Sequence, residues 1–272
     1  MVFKGLLVVA SGFIFIFSSG IPMRMISRYR PDYRRESLYW GIGIWILAFF
    51  ISTFLQNLVR QIISGGQPPT ATPGLFTYLL GTVFTTLLLQ IGMLIFLRKR
   101  AKKGGEVRTD GLALGFGIGL IAQIFTGMTL IGAGAGLVFQ SAGLQMPAGS
   151  VQADTVGIIA NASTFSLISA LLSMILFRVA LLTISSVQGY LVADSLSGTP
   201  KSFWLALFVS IGFTWGIFFL QLALGEENPG QILGNTAPLI SILSSVYYLA
   251  AFYLGYRWLS RQLESSRPSK KK

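Results

Sequence analysis

The sequence predicts an all-α, polytopic membrane protein of about seven transmembrane helices, with the N-terminus outside and the C-terminus in the cytoplasm. Three observations predict it. The chain of 272 residues is 53% hydrophobic and only 11% charged, against roughly 25% charged residues in an ordinary soluble domain. Its apolar residues fall into seven long runs, each near the ~20 residues that cross a hydrocarbon layer as a helix. Its Lys and Arg residues sit in short clusters between alternate runs, as the positive-inside rule requires.

The runs are Gly5–Met23, Leu38–Leu58, Leu75–Leu97, Gly111–Leu137, Phe165–Val192, Phe203–Leu224 and Pro238–Leu259. Each is expected to be helical, because a backbone in lipid must satisfy its polar groups within the segment. The stretch Val156–Ser166 is left open as a separate short or re-entrant helix before the fifth span. The first run has only Lys4 before it and an arginine-rich stretch after it, which favours a retained helix over a cleaved leader. Together the spans predict a single transmembrane bundle over residues 1–264, followed by a basic, disordered cytoplasmic tail over 265–272.

Orientation follows from charge. Arg24, Arg28, Arg30, Arg34 and Arg35 lie between runs 1 and 2, and Arg98, Lys99, Arg100, Lys102, Lys103 and Arg108 between runs 3 and 4. Lys201 lies between runs 5 and 6, while Arg257, Arg261, Arg267 and Lys270 to Lys272 end or follow run 7. With seven spans, 18 of the 21 basic residues share one side, and the other side keeps Lys4 and Arg60. The basic side is read as cytoplasmic, and the membrane as the inner membrane of a bacterial cell. Trp40, Trp204 and Trp258 fall at the same helix ends, where indole rings prefer the interface. The opposite loops, Gln61–Gly74, Gln140–Thr155 and Gly225–Ala237, are rich in Gly, Pro and polar residues.

The net charge of +12 is therefore read as matched to anionic lipid head groups, with no nucleic-acid partner. A second membrane protein is the other candidate partner. The chain has no Cys and no His, which removes thiolate chemistry and the commonest general base and metal ligand. The nine acids (Asp32, Glu36, Glu106, Asp110, Asp154, Asp194, Glu226, Glu227 and Glu264) all fall in loops or at helix ends. No carboxylate is placed at mid-membrane depth for proton or sodium coupling. No catalytic residue, metal ligand or cofactor is expected.

Arg178 is the exception, since it falls near the middle of the fifth span, where an arginine costs on the order of 3 kcal/mol. It is either a structural arginine bonded to helix carbonyls and water, or the ligand of an anion or lipid phosphate. Thr85, Thr86 and Gln90 in the third span, Gln123 in the fourth and Thr214 in the sixth fall at similar depth. With Arg178 they either line a polar cavity or act as interhelical hydrogen-bonding glue. Gly111, Gly115 and Gly119 recur every four residues and read as a helix-packing stripe, because small residues at this spacing let membrane helices approach closely.

The order of these features resembles the YhfC-type family of proposed glutamic intramembrane proteases, relatives of the CAAX-protease and bacteriocin-processing superfamily. The resemblance covers about residues 5–220. It rests on an N-terminal helix with an arginine-rich turn, a second helix opening on aromatics, a third ending in a basic cluster, a Gly-rich fourth and a long fifth and sixth pair. Where the family has a Glu-Glu pair after an aromatic, this chain reads Val83-Phe84-Thr85-Thr86. The Gly-rich run of the family carries a histidine and a glutamate, whereas Gly115 to Gln123 here has neither. The later family histidines fall near Arg178 and Phe213. The resemblance thus implies a protease-like bundle without its catalytic Glu and His residues, a pseudoenzyme that binds a partner helix, a lipid or a small anion. Two alternatives stand beside it: a small-solute transporter or channel using Arg178, and an active hydrolase with an unrecognised nucleophile.

Overall fold

The computed structural model describes residues 1–18, 35–63, 75–104, 106–144, 156–157, 159–225 and 238–265. All regular structure among them is helical. In chain order the helices are α1 (Val2–Ser18), α2 (Arg35–Ile63), α3 (Leu75–Ala101), α4 (Val107–Ser141), α5 (Thr164–Ser195), α6 (Lys201–Ala223) and α7 (Pro238–Ser265). Helices α2 to α7 are long and apolar enough to cross a membrane, and α1 is a shorter apolar helix. The protein is an integral, multi-pass membrane protein. The shortest of the six, α6 with 23 residues, reaches about 35 Å at 1.5 Å per residue, and the 17 residues of α1 reach about 25 Å.

The arginines at 24 to 34, the acids Asp154, Glu226 and Glu227, most of the three non-basic loops and the lysine tail lie outside the described residues. Helix ends follow local chemistry. Helices α3 and α5 stop at glycines with positive φ, Gly104 at +70° and Gly198 at +105°, a backbone that L side chains resist. Helix α5 starts on an N-cap, the Oγ of Ser163 accepting the backbone N–H of Ser166 at 3.1 Å.

The chain packs as two compact units. The first comprises Met1–Arg28, Leu120–Leu181 and Ile217–Tyr253, and the second Tyr29–Gly119, Leu182–Gly216 and Leu254–Lys272.

In the first unit, α1 lies against α4 through paired glycines. A Cβ on Gly5 would stand 2.8 Å from the Gly134 carbonyl, and one on Gly12 would stand 2.7 Å from the Gly127 carbonyl. Val8 and Phe15 of α1 join Leu130, Ala133 and Leu137 of α4 in a buried core with Leu167, Leu171 and Met174 of α5. Val156 and Ile159 complete that core. They belong to a helical stretch whose described residues include 159–161 and which a break at Ala162 and Ser163 separates from α5. Lys4 donates to the carbonyls of Ala160 (2.8 Å) and Ala162 (2.6 Å) at the end of this stretch, where a cation complements the exposed carbonyls of a helix C-terminus.

In the second unit, α4 threads between α2 and α5 with almost no side-chain spacer. The carbonyls of Leu114 and Leu38 would block a Cβ on Gly41 and Gly117, respectively. On the other face, Gly111 meets Gly189, Gly115 meets the Ser185 carbonyl, and a Cβ on Gly119 would stand 2.8 Å from the Leu182 Cα. Helices α2 and α3 pack side by side through the Ser52–Thr85 hydroxyl pair and the Trp40–Phe96 ring contact.

Candidate functional site

The first unit contains a polar cleft where apolar residues would be expected. Ala170, Ser173 and Met174 of α5, Gln221 of α6, and Ser241, Ser244 and Tyr248 of α7 line a small cleft of about 20 Å³. Helix periodicity explains the lining. Ser241, Ser244 and Tyr248 are spaced by three and four residues, which places them on one face of α7. All three are buried, with Ser244 only 1% exposed. The Ser244 Oγ has no hydrogen-bond partner. Leaving a buried hydroxyl unsatisfied costs about 1–3 kcal/mol, so it is a group prepared to donate to something other than this chain.

Arg178 stands one turn beyond Met174 on the same broad face of α5, about 6 Å along the axis. Its Nε is enclosed and has no hydrogen-bond partner. The guanidinium carbon lies 5.1 Å from the centre of the Phe177 ring, an attraction of about 0.5–2 kcal/mol that supplies no hydrogen bond. Phe177 packs on Tyr248 with ring centres 5.1 Å apart, and Tyr248 lines the cleft. Tyr248 therefore connects the arginine to the cleft. Among the described residues the first unit holds no Asp or Glu, while the five described acids Glu36, Glu106, Asp110, Asp194 and Glu264 all belong to the second.

The six polar residues singled out by depth are divided between the units. Gln123, with Arg178 in the first unit, is 2% exposed and donates to the Phe15 carbonyl at 2.8 Å. Its amide fastens α4 to α1. Thr85 in the second unit is bonded to Ser52 and to the Gly81 carbonyl, and Ser52 also accepts from Gln56. Thr214 donates to the Ser210 carbonyl one turn back along its own helix. Thr86 is buried, and Gln90 is fully buried with neither amide atom partnered.

The second unit holds charge clusters that the sequence reading did not single out. Arg100, at the end of α3, donates through Nε to Asp110 Oδ2 at 3.3 Å, and its Nη2 lies 3.1 Å from Glu36. Ser37 donates to the other Asp110 oxygen. Arg108 pairs with Asp194, which also accepts from Ser202 at 2.8 Å. No group of three or more acids able to hold a metal ion occurs among the described residues.

Comparison against models of known families, characterised proteins and solved structures finds no match to this chain.

Proposed function

We propose that this chain is a non-catalytic protein of a bacterial inner membrane that binds a small anionic group beside Arg178. In this reading the basic helix ends face the cytoplasm, α1 is the first of seven spans, and the bundle is a degenerate relative of the YhfC-type proteases. The observation that carries it is an arginine inside a membrane bundle whose Nε has no partner, in a unit without a described carboxylate. A guanidinium inside a membrane bundle with its enclosed Nε unpartnered is costly, and a counter-charge offsets that cost. A non-catalytic role is supported by the lack of any His or Cys and by Thr85 and Thr86 where the family has two carboxylates.

Size selects among the ligands that the sequence leaves open. The cleft has about 20 Å³ of free space, room for about one water-sized group, so it suits a compact ligand and not a helix. Its hydroxyl and amide lining suits an anion better than an acyl chain.

The test is thermal unfolding of purified protein at matched ionic strength in gluconate, chloride, nitrate and phosphate, and with added anionic lipid. A ligand at about 100 times its Kd stabilises the native state by about 2.7 kcal/mol. At least one of these anions is expected to raise the Tm of the wild type and to leave Arg178→Leu unmoved. Equal responses in both proteins, or none in either, contradict the proposal.

A further inference from the structure

We infer that the cleft between α5, α6 and α7 seats a single desolvated halide ion, with the Ser244 hydroxyl as a direct donor and Arg178 as its counter-charge. The inference rests on the anion-binding reading above and narrows it to one class of ligand and one seat.

Three observations lead to it. The first is the donor set. Ser173, Ser241 and Ser244 border the space beside Tyr248 and Gln221, and serine hydroxyls rotate to suit a ligand. Ser244 is both nearly fully buried and unpartnered. A halide accepts such bonds without a preferred geometry, so neutral serine hydroxyls are adequate for it.

The second is charge. Arg178 supplies one positive charge on the same face of α5, joined to the cleft by its contact with Phe177 and that ring's packing on Tyr248. One arginine balances one negative charge. A phosphate carries about −1.5 to −2 at neutral pH and would leave excess negative charge in an apolar bundle, which is costly. Oxyanion sites ordinarily use forked, charge-assisted arginine contacts, whereas the residues bordering this cleft are neutral.

The third is burial in a small space. Ala170 and Met174 line the cleft on the α5 side, and the serines and Tyr248 that line it are each less than a tenth exposed. A phosphodiester head group would have to bring its glycerol and two chains to this point. A bare ion needs no such route.

The experiment is equilibrium binding of ³⁶Cl⁻ to the purified full-length protein in detergent, in gluconate buffer, with bromide as competitor. Saturable binding near one ion per chain, displaced by bromide and weakened at least tenfold in both Ser244→Ala and Arg178→Leu, is the expected result. Size-exclusion profiles and Tm values in gluconate establish that each variant is folded, and Ser241→Ala provides a second, milder change in the same lining. No saturable halide binding to the wild type overturns the inference, as does binding that both Ser244→Ala and Ser241→Ala leave unchanged. If halide fails to bind while phosphate or an anionic lipid stabilises the protein in an Arg178-dependent way, the halide seat is refuted and the anion-binding function stands. If no anion binds, both fail.

Discussion

The two compact units handle charge in opposite ways. In the second, buried Arg100 lies between Asp110 and Glu36, and Arg108 lies on Asp194. Those charges are paired within the fold, although the buried Arg100 Nη2 meets Glu36 without a formed hydrogen bond. In the first, Lys4 is satisfied by the carbonyls of Ala160 and Ala162, but the Arg178 Nε has no partner and a polar cleft opens one turn away. The difference teaches which charge to suspect of a function. A paired arginine at a helix end explains itself, because a cation at the C-terminus of α3 and an acid in the first turn of α4 both complement the helix dipoles. An arginine in mid-helix whose enclosed Nε has no acceptor does not explain itself.

The comparison can be broken first at its strongest pair. Asp110→Asn leaves Arg100 with only the exposed Glu36, and removing one partner of a buried pair costs about 3–5 kcal/mol. Reversible unfolding in mixed micelles should therefore show its largest loss here; a change below about 1 kcal/mol would mean that these charges are not consumed by the fold. Next comes Gly115→Ala, whose new Cβ would collide with the Ser185 carbonyl. Overpacking of this kind costs about 1–3 kcal/mol, and the same assay reads it. Lys4→Met tests whether the first unit's other cation is structural, with an expected loss of about 1–2 kcal/mol and no change in the response to anions. The smallest effect belongs to Arg108→Gln. Its guanidinium is about half exposed, and pairs of that kind contribute up to about 1 kcal/mol.

Much of the fold could be read from hydropathy alone. The expected runs beginning at Leu75 and Pro238 coincide with the starts of α3 and α7. The expected run Gly111–Leu137 is shorter than α4, Val107–Ser141, because a helix continues through polar residues at either end of an apolar stretch. The site was only partly accessible. Arg178 stands out in any hydropathy scan, since a mid-span cation is rare. Ser241, Ser244 and Tyr248 carried a signal in their three- and four-residue spacing, but serine is common in membrane helices, where its hydroxyl often bonds its own backbone, as Ser245 does to the Ser241 carbonyl. Nothing local could join Ser37 to Asp110, which are 73 residues apart. Depth alone placed Gln123 beside Arg178, although its amide is committed to the Phe15 carbonyl. Position along the membrane normal says how far in a residue sits, and only packing says which neighbour it faces.

The most direct measurement of the central claim is anomalous scattering from crystals grown or soaked in bromide. The account predicts a peak in the first unit, between α5, α6 and α7, within hydrogen-bond reach of the Ser244 hydroxyl and absent from Arg178→Leu crystals. A cleft without bromide density at a concentration that labels other sites, or a peak that persists without Arg178, would contradict it.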